Sequence, residues 1–335
     1  MPASGLCLGR PGRRAPAPRH SRPHDQFGSL GAQRHAAAQS RLLAASVQLA
    51  VTAFKAAPDR AESSAAGRLG PGRYHHLVGE EVQPGPSVSG QDGMEVHLPG
   101  SVGGAMRIGD TVHRPTGPWT EAVHALLGYL DNRVPSVPRV LGYDEQGREV
   151  LSYLPGRVLD GDSETLSIGQ VVSLVGWTRA FHDVVAGFTH AGPWRFFPVA
   201  DPSLIGHNDI APYNVCFEGD EVVGVFDWDL AGPTTPLLEL AFIAWNCVPL
   251  WRDTGPGAAA ERLRVIAAAY GGLDARQILY AVPQRIQAML DWIPAAAAAG
   301  DQGMAHIMTL GEPGLSQRAL AGLAQRIPAI DWQLG

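Results

Sequence analysis

Apolar and polar positions change their period along this chain. Between 95 and 153, short runs at 95–98, 105–108, 111–114, 140–143 and 149–153 are cut by glycine-bearing turns and predict a small antiparallel sheet. One interruption, 118–129, carries Val123, Leu126 and Leu127, with Leu130 following, at spacings of three and four. It predicts a helix, ended by Pro135 and Pro138. Pro155-Gly156 then breaks the chain, and after Leu166 the period is helical. Runs at 168–185, 236–251, 258–270, 275–293 and 315–327 predict helices, with 295–300 as a low-complexity link. Two strand-like runs, 214–218 and 222–227, are joined by Gly219-Asp220 and predict a hairpin among those helices. Strands first, helices after and one embedded hairpin make a two-lobed α+β fold, with a small antiparallel-sheet lobe at 94–155 and a mainly helical lobe at 156–335.

The first 93 residues follow neither period. Residues 1–35 are rich in Pro, Arg, Gly and His with little to bury, and disorder is expected there. One amphipathic helix is expected at 36–57, and 58–93 return to Gly, Pro and Ser. Most of 1–93 is therefore expected to lie outside the catalytic part. Translation is expected to begin at Met94, which mass spectrometry of the natural N-terminus would test.

Composition narrows the partners. Residues 1–93 carry 11 Lys+Arg and 6 Asp+Glu, whereas the remainder carries 15 and 26. An acidic main body argues against a nucleic-acid groove and is compatible with a cationic small substrate or with metal-assisted nucleotide binding. Cys7, Cys216 and Cys247 give neither a disulfide framework nor a metal spacing, so Cys216 and Cys247 are expected to be buried and the setting reducing and cytoplasmic. No uncharged apolar run reaches 18 residues, so no membrane span is expected. Monomer and homodimer both stay open.

The candidate chemistry gathers at 204–233, where Asp209, Asn214, Asp227 and Asp229 interrupt apolar sequence. The hairpin sets Asn214 opposite 225–227, bringing an amide and a carboxylate to one mouth, with Asp209 on the loop that enters it. A hydroxyl that attacks a phosphoryl group must be oriented and must lose its proton, and a carboxylate such as Asp209 does both. Asn214 offers an amide oxygen to Mg²⁺. Asp227 ends an apolar strand, where a carboxylate is costly unless a metal or hydrogen bonds satisfy it. Asp229 is either a further metal ligand or a cap for the next turn of chain.

The text GHNDIAPYNVCF at 206–217 and VFDWDLAGP at 225–233 resembles the catalytic loop and metal segment of the aminoglycoside phosphotransferase or phosphotransferase-enzyme family, which has the protein-kinase-like fold. The resemblance spans about 94–330. It implies that Asp209 is the catalytic carboxylate, that His207 organises its loop, and that Asn214 and Asp227 hold Mg²⁺, with Asp229 still either a further ligand or a cap. Glu239 would anchor the loop through backbone N–H groups.

The small lobe departs from the family. Kinase-like enzymes hold the α- and β-phosphates with a strand lysine paired to a helix glutamate. The only lysine here is Lys55, so Arg114, or else His113, in TVHRP takes that place. The helix glutamate would fall near His124, with Glu121 one turn earlier. Gly103 and Gly104, in LPGSVGG, either arch over the phosphates or simply turn the chain; the segment lacks the ending of a Walker A loop. By position, the lobe linker with Ser152, Tyr153 and Leu154 would offer backbone hydrogen bonds to the adenine edge. For the acceptor, Asp253, Glu261, Asp274 and Asp291 are candidates for a cation-binding rim, and Trp245, Trp251 and Trp292 for an aromatic one.

The implied activity is Mg²⁺-dependent transfer of the γ-phosphoryl group of ATP or GTP to the hydroxyl of a small molecule. The alternative is a catalytically weak or inactive kinase-like protein that binds a nucleotide or metabolite. A protein kinase fits poorly, because the HRD, DFG and APE spellings are missing.

Overall fold

The computed structural model describes residues 95–98 and 104–335. The expectations for 1–93, including the helix at 36–57, and for Gly103 lie outside the described residues. The small lobe is the predicted antiparallel sheet. Its strands β1 (Glu95–His97), β2 (Met106–Ile108), β3 (Thr111–Arg114), β4 (Val140–Tyr143) and β5 (Glu149–Ser152) lie in the order β1-β2-β3-β5-β4. Helix α1 (Thr120–Leu130) buries Val123, Leu126, Leu127 and Leu130, the spacing read from the sequence. In the β3–β5 register Arg114 faces Glu149.

The lobes join at Gly156, which adopts φ +137° and where a Cβ would stand 2.8 Å from the Cys216 Cβ. A side chain there would meet both strain and collision, so the linker turns at a glycine. Strand β6 (Arg157–Val158) follows and pairs with β8 (Val215–Glu218), which pairs with β9 (Glu221–Val225). This is the predicted hairpin, extended by β6. It opens one residue later than expected, because Pro212–Asn214 wind into a single 3₁₀ turn. A separate two-stranded ribbon, β7 (Leu204–Gly206) with β10 (Gly232–Thr234), closes the base of the stretch.

Helices α2 (Ile168–Val185), α3 (Pro236–Cys247), α4 (Pro256–Tyr270), α5 (Ala275–Ala298), α6 (Gln302–Thr309) and α7 (Gly314–Leu334) make the larger lobe. Their starts are chemically marked. Ser167 with Gln170, and Asp274 with Gln277, form capping boxes on α2 and α5, and the Thr235 side chain caps α3 ahead of Pro236. Such caps each contribute about 1 kcal/mol. Leu174, Phe181, Leu240, Ile243, Leu263, Ile278 and Ile286 are wholly buried between the helices.

Three expectations fail here. The alanine run after 293 is not a link: it carries α5 on to Ala298 through Pro294, since alanine is the strongest helix former. Helix α7 continues through Pro328 to Leu334 instead of ending at 327. Helix α3 ends at Cys247, four residues early. Helix α6 is an addition to the predicted set; its N-cap is Asp301, whose side chain accepts from the Met304 N–H. Among the described residues no helix is long and apolar enough to cross a membrane.

Candidate active site

The loop 207–209 is pinned from four sides. Gly206, just before it, lies so close to α3 that a Cβ would come within 2.5 Å of Glu239 Oε2. That approach lets Glu239 Oε1 accept from the Asn208 N–H at 2.8 Å, so Glu239 holds the backbone of the 207–209 loop. Asn208 sits at φ +64° and donates from Nδ2 to the carbonyls of Leu230 and Gly232. Its own carbonyl accepts from Arg285 Nη2 at 2.8 Å. His207 donates from Nε2 to the Phe226 carbonyl at 3.0 Å and accepts at Nδ1 from the Asp209 N–H at 3.3 Å. Burial pushes the His207 ring below its ordinary pKa, which keeps it neutral. Both ring nitrogens are spent, and the ring packs on Trp228 at 4.5 Å. His207 thus braces the backbone of the loop that carries Asp209.

Glu239 is itself held by His182 Nε2 at 2.5 Å, and His182 Nδ1 meets the Tyr270 hydroxyl at 2.8 Å. Burial pushes the Glu239 carboxyl up, but the His182 ring and the Asn208 N–H outweigh it and hold the group below the usual carboxylate range.

Asp209 stands half-buried on the cleft wall, and Asn214 lies wholly buried beside it. Asn214 Nδ2 donates both to the Asp209 carbonyl at 3.0 Å and to its carboxylate at 2.9 Å. Two acceptors fix which end of the amide is nitrogen, and they leave Oδ1 buried without a protein partner. Phe226 N–H donates to the Asn214 carbonyl at 3.0 Å, the pairing across the hairpin that the sequence predicted. Asp227 comes next at φ +61°, a left-handed conformation that Asp tolerates better than most residues. Burial pushes the Asp209 carboxyl well above its usual range, and the neighbouring Asp227 charge adds to this, against the opposing pull of Arg285, the Asn214 amide and Arg195.

Arg114, not His113, faces this site. Its Nε donates to Glu149 Oε1 at 2.7 Å, and its two other nitrogens reach Asp227 at 3.4 Å and Asp229. His113 turns to the opposite face and meets Asp144 at 2.9 Å. The carboxylate partner expected on α1 comes instead from β5: Glu149 takes Arg114 on one oxygen and His124 Nε2 on the other at 2.7 Å. Glu121 is occupied by the Tyr143 hydroxyl.

Asp229 lies between two guanidinium groups, Arg114 and Arg195, the latter at 3.4 Å. Its surroundings suit a bridge between arginines better than a metal ligand. Among the described residues no three His, Cys, Asp or Glu side chains converge into a metal cluster. The candidate donors for a divalent ion are the orphaned Asn214 oxygen and Asp227, which lines the cleft one residue beyond the Phe226 that pairs with Asn214. So short a set suits Mg²⁺, which takes one or two protein oxygens and leaves the rest to phosphates and water.

The cleft between the lobes encloses about 1380 Å³ and is lined by Arg114, Ser152, Tyr153, Leu154, Asp209, Asp227 and Asp229 among others. Two expected linker donors are already used. Ser152 N–H bonds the Arg139 carbonyl and Tyr153 N–H the Asp110 carbonyl, both at 2.9 Å. Neither amide is therefore offered to a purine edge. Gly104 stands against Pro115 and is not among the lining residues. The expected acidic rim is absent from the cleft as well. Asp253 and Asp274 hold backbone N–H groups at the starts of α4 and α5, Asp291 binds Gln287, and Glu261 lies exposed on α4. Trp245, Trp251 and Trp292 all do line it.

Sequence reasoning missed Glu149, Arg195 and Arg285. Glu149 shares the buried phase of its strand with Leu151, and Arg285 shares the buried stripe of α5 with Ile278 and Val282. A charge in a core phase is the signal that would have found both. Arg195 sits on a loop and carries no such mark.

Residues 194–279 match the model of the phosphotransferase enzyme family. The trifolitoxin immunity protein of Rhizobium leguminosarum bv. trifolii is 31% identical over 183 residues, covering 49% of this chain and 69% of that protein. Among solved structures, an amicoumacin kinase bound to AMP-PNP and Ca²⁺ is similar at 13% identity and TM-score 0.49, over 70% of this chain and 87% of its own. A choline/ethanolamine kinase family protein from Mesorhizobium loti is similar at 18% identity and TM-score 0.41, over 71% and 94%. With its two-lobed architecture, the chain belongs to the phosphotransferase enzyme family.

Proposed function

We propose that this protein transfers the γ-phosphoryl group of ATP or GTP to a hydroxyl of a small molecule, with Mg²⁺, in the reducing setting that free, buried Cys216 and Cys247 suit. The observation that carries this reading is the divided Asn214 amide. Its nitrogen holds the carboxylate of Asp209, and its oxygen is buried with nothing in the protein to bond. An unsatisfied buried acceptor costs about 1–3 kcal/mol, which a ligand would relieve. A divalent ion held by Asn214 and Asp227 would neutralise charge on the phosphate oxygens.

The chain's own groups supply the rest. Asp209 orients the acceptor hydroxyl and takes its proton at Oδ1, while Asn214 keeps Oδ2. A carboxylate raised above its usual range is a better proton acceptor than an ordinary one. Arg114 supplies the cation that a strand lysine gives elsewhere, and Glu149 aims it. An arginine fork presents paired donors where an ammonium presents a point, so phosphate would be gripped along an edge. The designation of the relative as an immunity protein is compatible with an enzyme that disarms a harmful compound by phosphorylating it.

One observation favours a second reading, a kinase-like binding protein with little turnover: Arg114 is already shared among Glu149, Asp227 and Asp229. Thermal stabilisation by ATP or GTP with and without Mg²⁺, followed by a product assay over a panel of hydroxyl compounds, separates the two. Mg²⁺-dependent binding with turnover supports transfer. Binding without turnover supports the second reading, and no nucleotide binding defeats the transfer reading.

A further inference from the structure

The helical-lobe end of the cleft has a chemistry of its own. Trp194, Phe242, Trp245, Met289, Trp292 and Met304 line it, from the loop after α2 and from α3, α5 and α6. Trp194, Met289 and Trp292 are only partly buried, and the Trp292 ring is propped by Phe197 at 5.9 Å and Phe196 at 6.4 Å. These are large, polarisable faces held at fixed angles and left for something to pack on.

The carboxylates at this end are already committed. Asp301 accepts two bonds from Arg195, at 2.7 and 2.8 Å, and caps α6 through the Met304 N–H. Glu164 pairs with Arg157 and accepts from the Asp160 N–H. Asp160 accepts from the Asp162 N–H and the Ser163 hydroxyl. A polycationic ligand would have to break these bonds to find counter-charges, with the Arg195 guanidinium also lining the cleft. An uncharged ligand meets no such cost, and its apolar surface gains about 25 cal/mol for each Å² removed from water.

We infer that the acceptor is an uncharged hydroxyl compound with an aromatic or otherwise apolar body, seated against Trp194 and Trp292 with its hydroxyl towards Asp209. This rests on the phosphotransfer reading for what happens to the hydroxyl, but not for what the pocket holds. It runs against the acidic body of the chain, which read alone favours a cation.

Binding tests it without turnover. The neutral fluorophore N-phenyl-1-naphthylamine is added to the full chain with ADP and Mg²⁺ present, and displacement is followed with chloramphenicol, a neutral aromatic diol, and kanamycin, a polycation. The fluorophore is expected to bind, to be displaced by chloramphenicol at least about tenfold better than by kanamycin, and to bind about tenfold more weakly to Trp292→Ala. Trp292→Phe, which keeps an aromatic face, is expected to retain most of the binding and guards against a variant that simply fails to fold. Kanamycin displacing as well as or better than chloramphenicol, no fluorophore binding, or binding untouched by Trp292→Ala would each overturn the inference. If the neutral compound binds as expected but labelled ATP and GTP give no phosphorylated product across the panel of hydroxyl compounds, the pocket assignment stands and the phosphotransfer reading falls.

Discussion

Arg114 and Glu149 face each other across β3 and β5, with Arg114 Nε 2.7 Å from Glu149 Oε1. The ion pair that a kinase-like small lobe makes between a strand and a helix is here made between two strands. Helix α1 contributes only His124, on the other carboxylate oxygen. The cation is thereby tied to the sheet and reaches Asp227 and Asp229 through its two terminal nitrogens.

Arg114→Lys is accordingly expected to be poorly tolerated. A lysine cannot serve Glu149, Asp227 and Asp229 together, so nucleotide affinity is expected to fall about tenfold and stability by ~2 kcal/mol, the worth of a charged hydrogen bond lost inside the protein. Isothermal titration with an ATP analogue and a denaturant melt check both. Unchanged nucleotide affinity would remove Arg114 from the phosphate site.

Asp209→Asn separates binding from chemistry. The amide keeps the shape but cannot take a proton, so turnover is expected to fall about 10²–10⁴-fold, while nucleotide affinity stays within about threefold. Asn214→Ala and Asp227→Ala have the opposite signature: the Mg²⁺ dependence of nucleotide binding is expected to disappear. A turnover loss under about threefold in Asp209→Asn would end its assignment as the base.

Much of this arrangement was legible in the sequence, and the reason is local. Asp209, Asn214 and Asp227 lie within one stretch whose hairpin is written by Gly219-Asp220 and by strand-like runs on either side, so their meeting follows from short-range rules. The layout of two lobes was legible because the period changes between them. That the Ser152 and Tyr153 amides are spent on the Arg139 and Asp110 carbonyls was not legible, since the linker's own residues do not show those partners. The arginine partners of Asp229 were not legible, since Arg114 and Arg195 come from separate segments. No window of sequence shows which distant residue uses a donor first.

Acid should uncouple the catalytic loop through Glu239. Its folded pKa lies below the unfolded value near 4.5, because the His182 ring and the Asn208 N–H favour the charged form despite burial. Its contribution is fully present above about 4.5 and is lost as pH falls through the lower, folded value. The stability difference between the native chain and Glu239→Gln is therefore expected to narrow as pH falls below about 4.5. Denaturant melts across that range measure it. A difference that widens in acid would reverse the sign and with it the assignment.

Arg285 tests whether the loop's support matters beyond folding. It is almost wholly buried, with its guanidinium over the rings of Phe242 at 4.5 Å and Phe196 at 4.9 Å, and its Nη2 holds the Asn208 carbonyl next to Asp209. Burial lowers its pKa to about 10, so it stays charged at neutral pH. Arg285→Met keeps an apolar chain between the rings and removes both the charge and the bond. Losing a desolvated charge offsets part of the lost hydrogen bond, so the stability loss is expected to be modest, about 1–2 kcal/mol. The carbonyl beside Asp209 is then free to move, and displacing a catalytic group by a fraction of an ångström costs rate more than binding. Turnover is expected to fall about 10–100-fold while the KM for nucleotide changes little. Arg285→Lys can still reach the Asn208 carbonyl and is expected to recover part of the turnover. If instead turnover and nucleotide KM change together, or lysine restores stability without rate, then Arg285 serves the core alone.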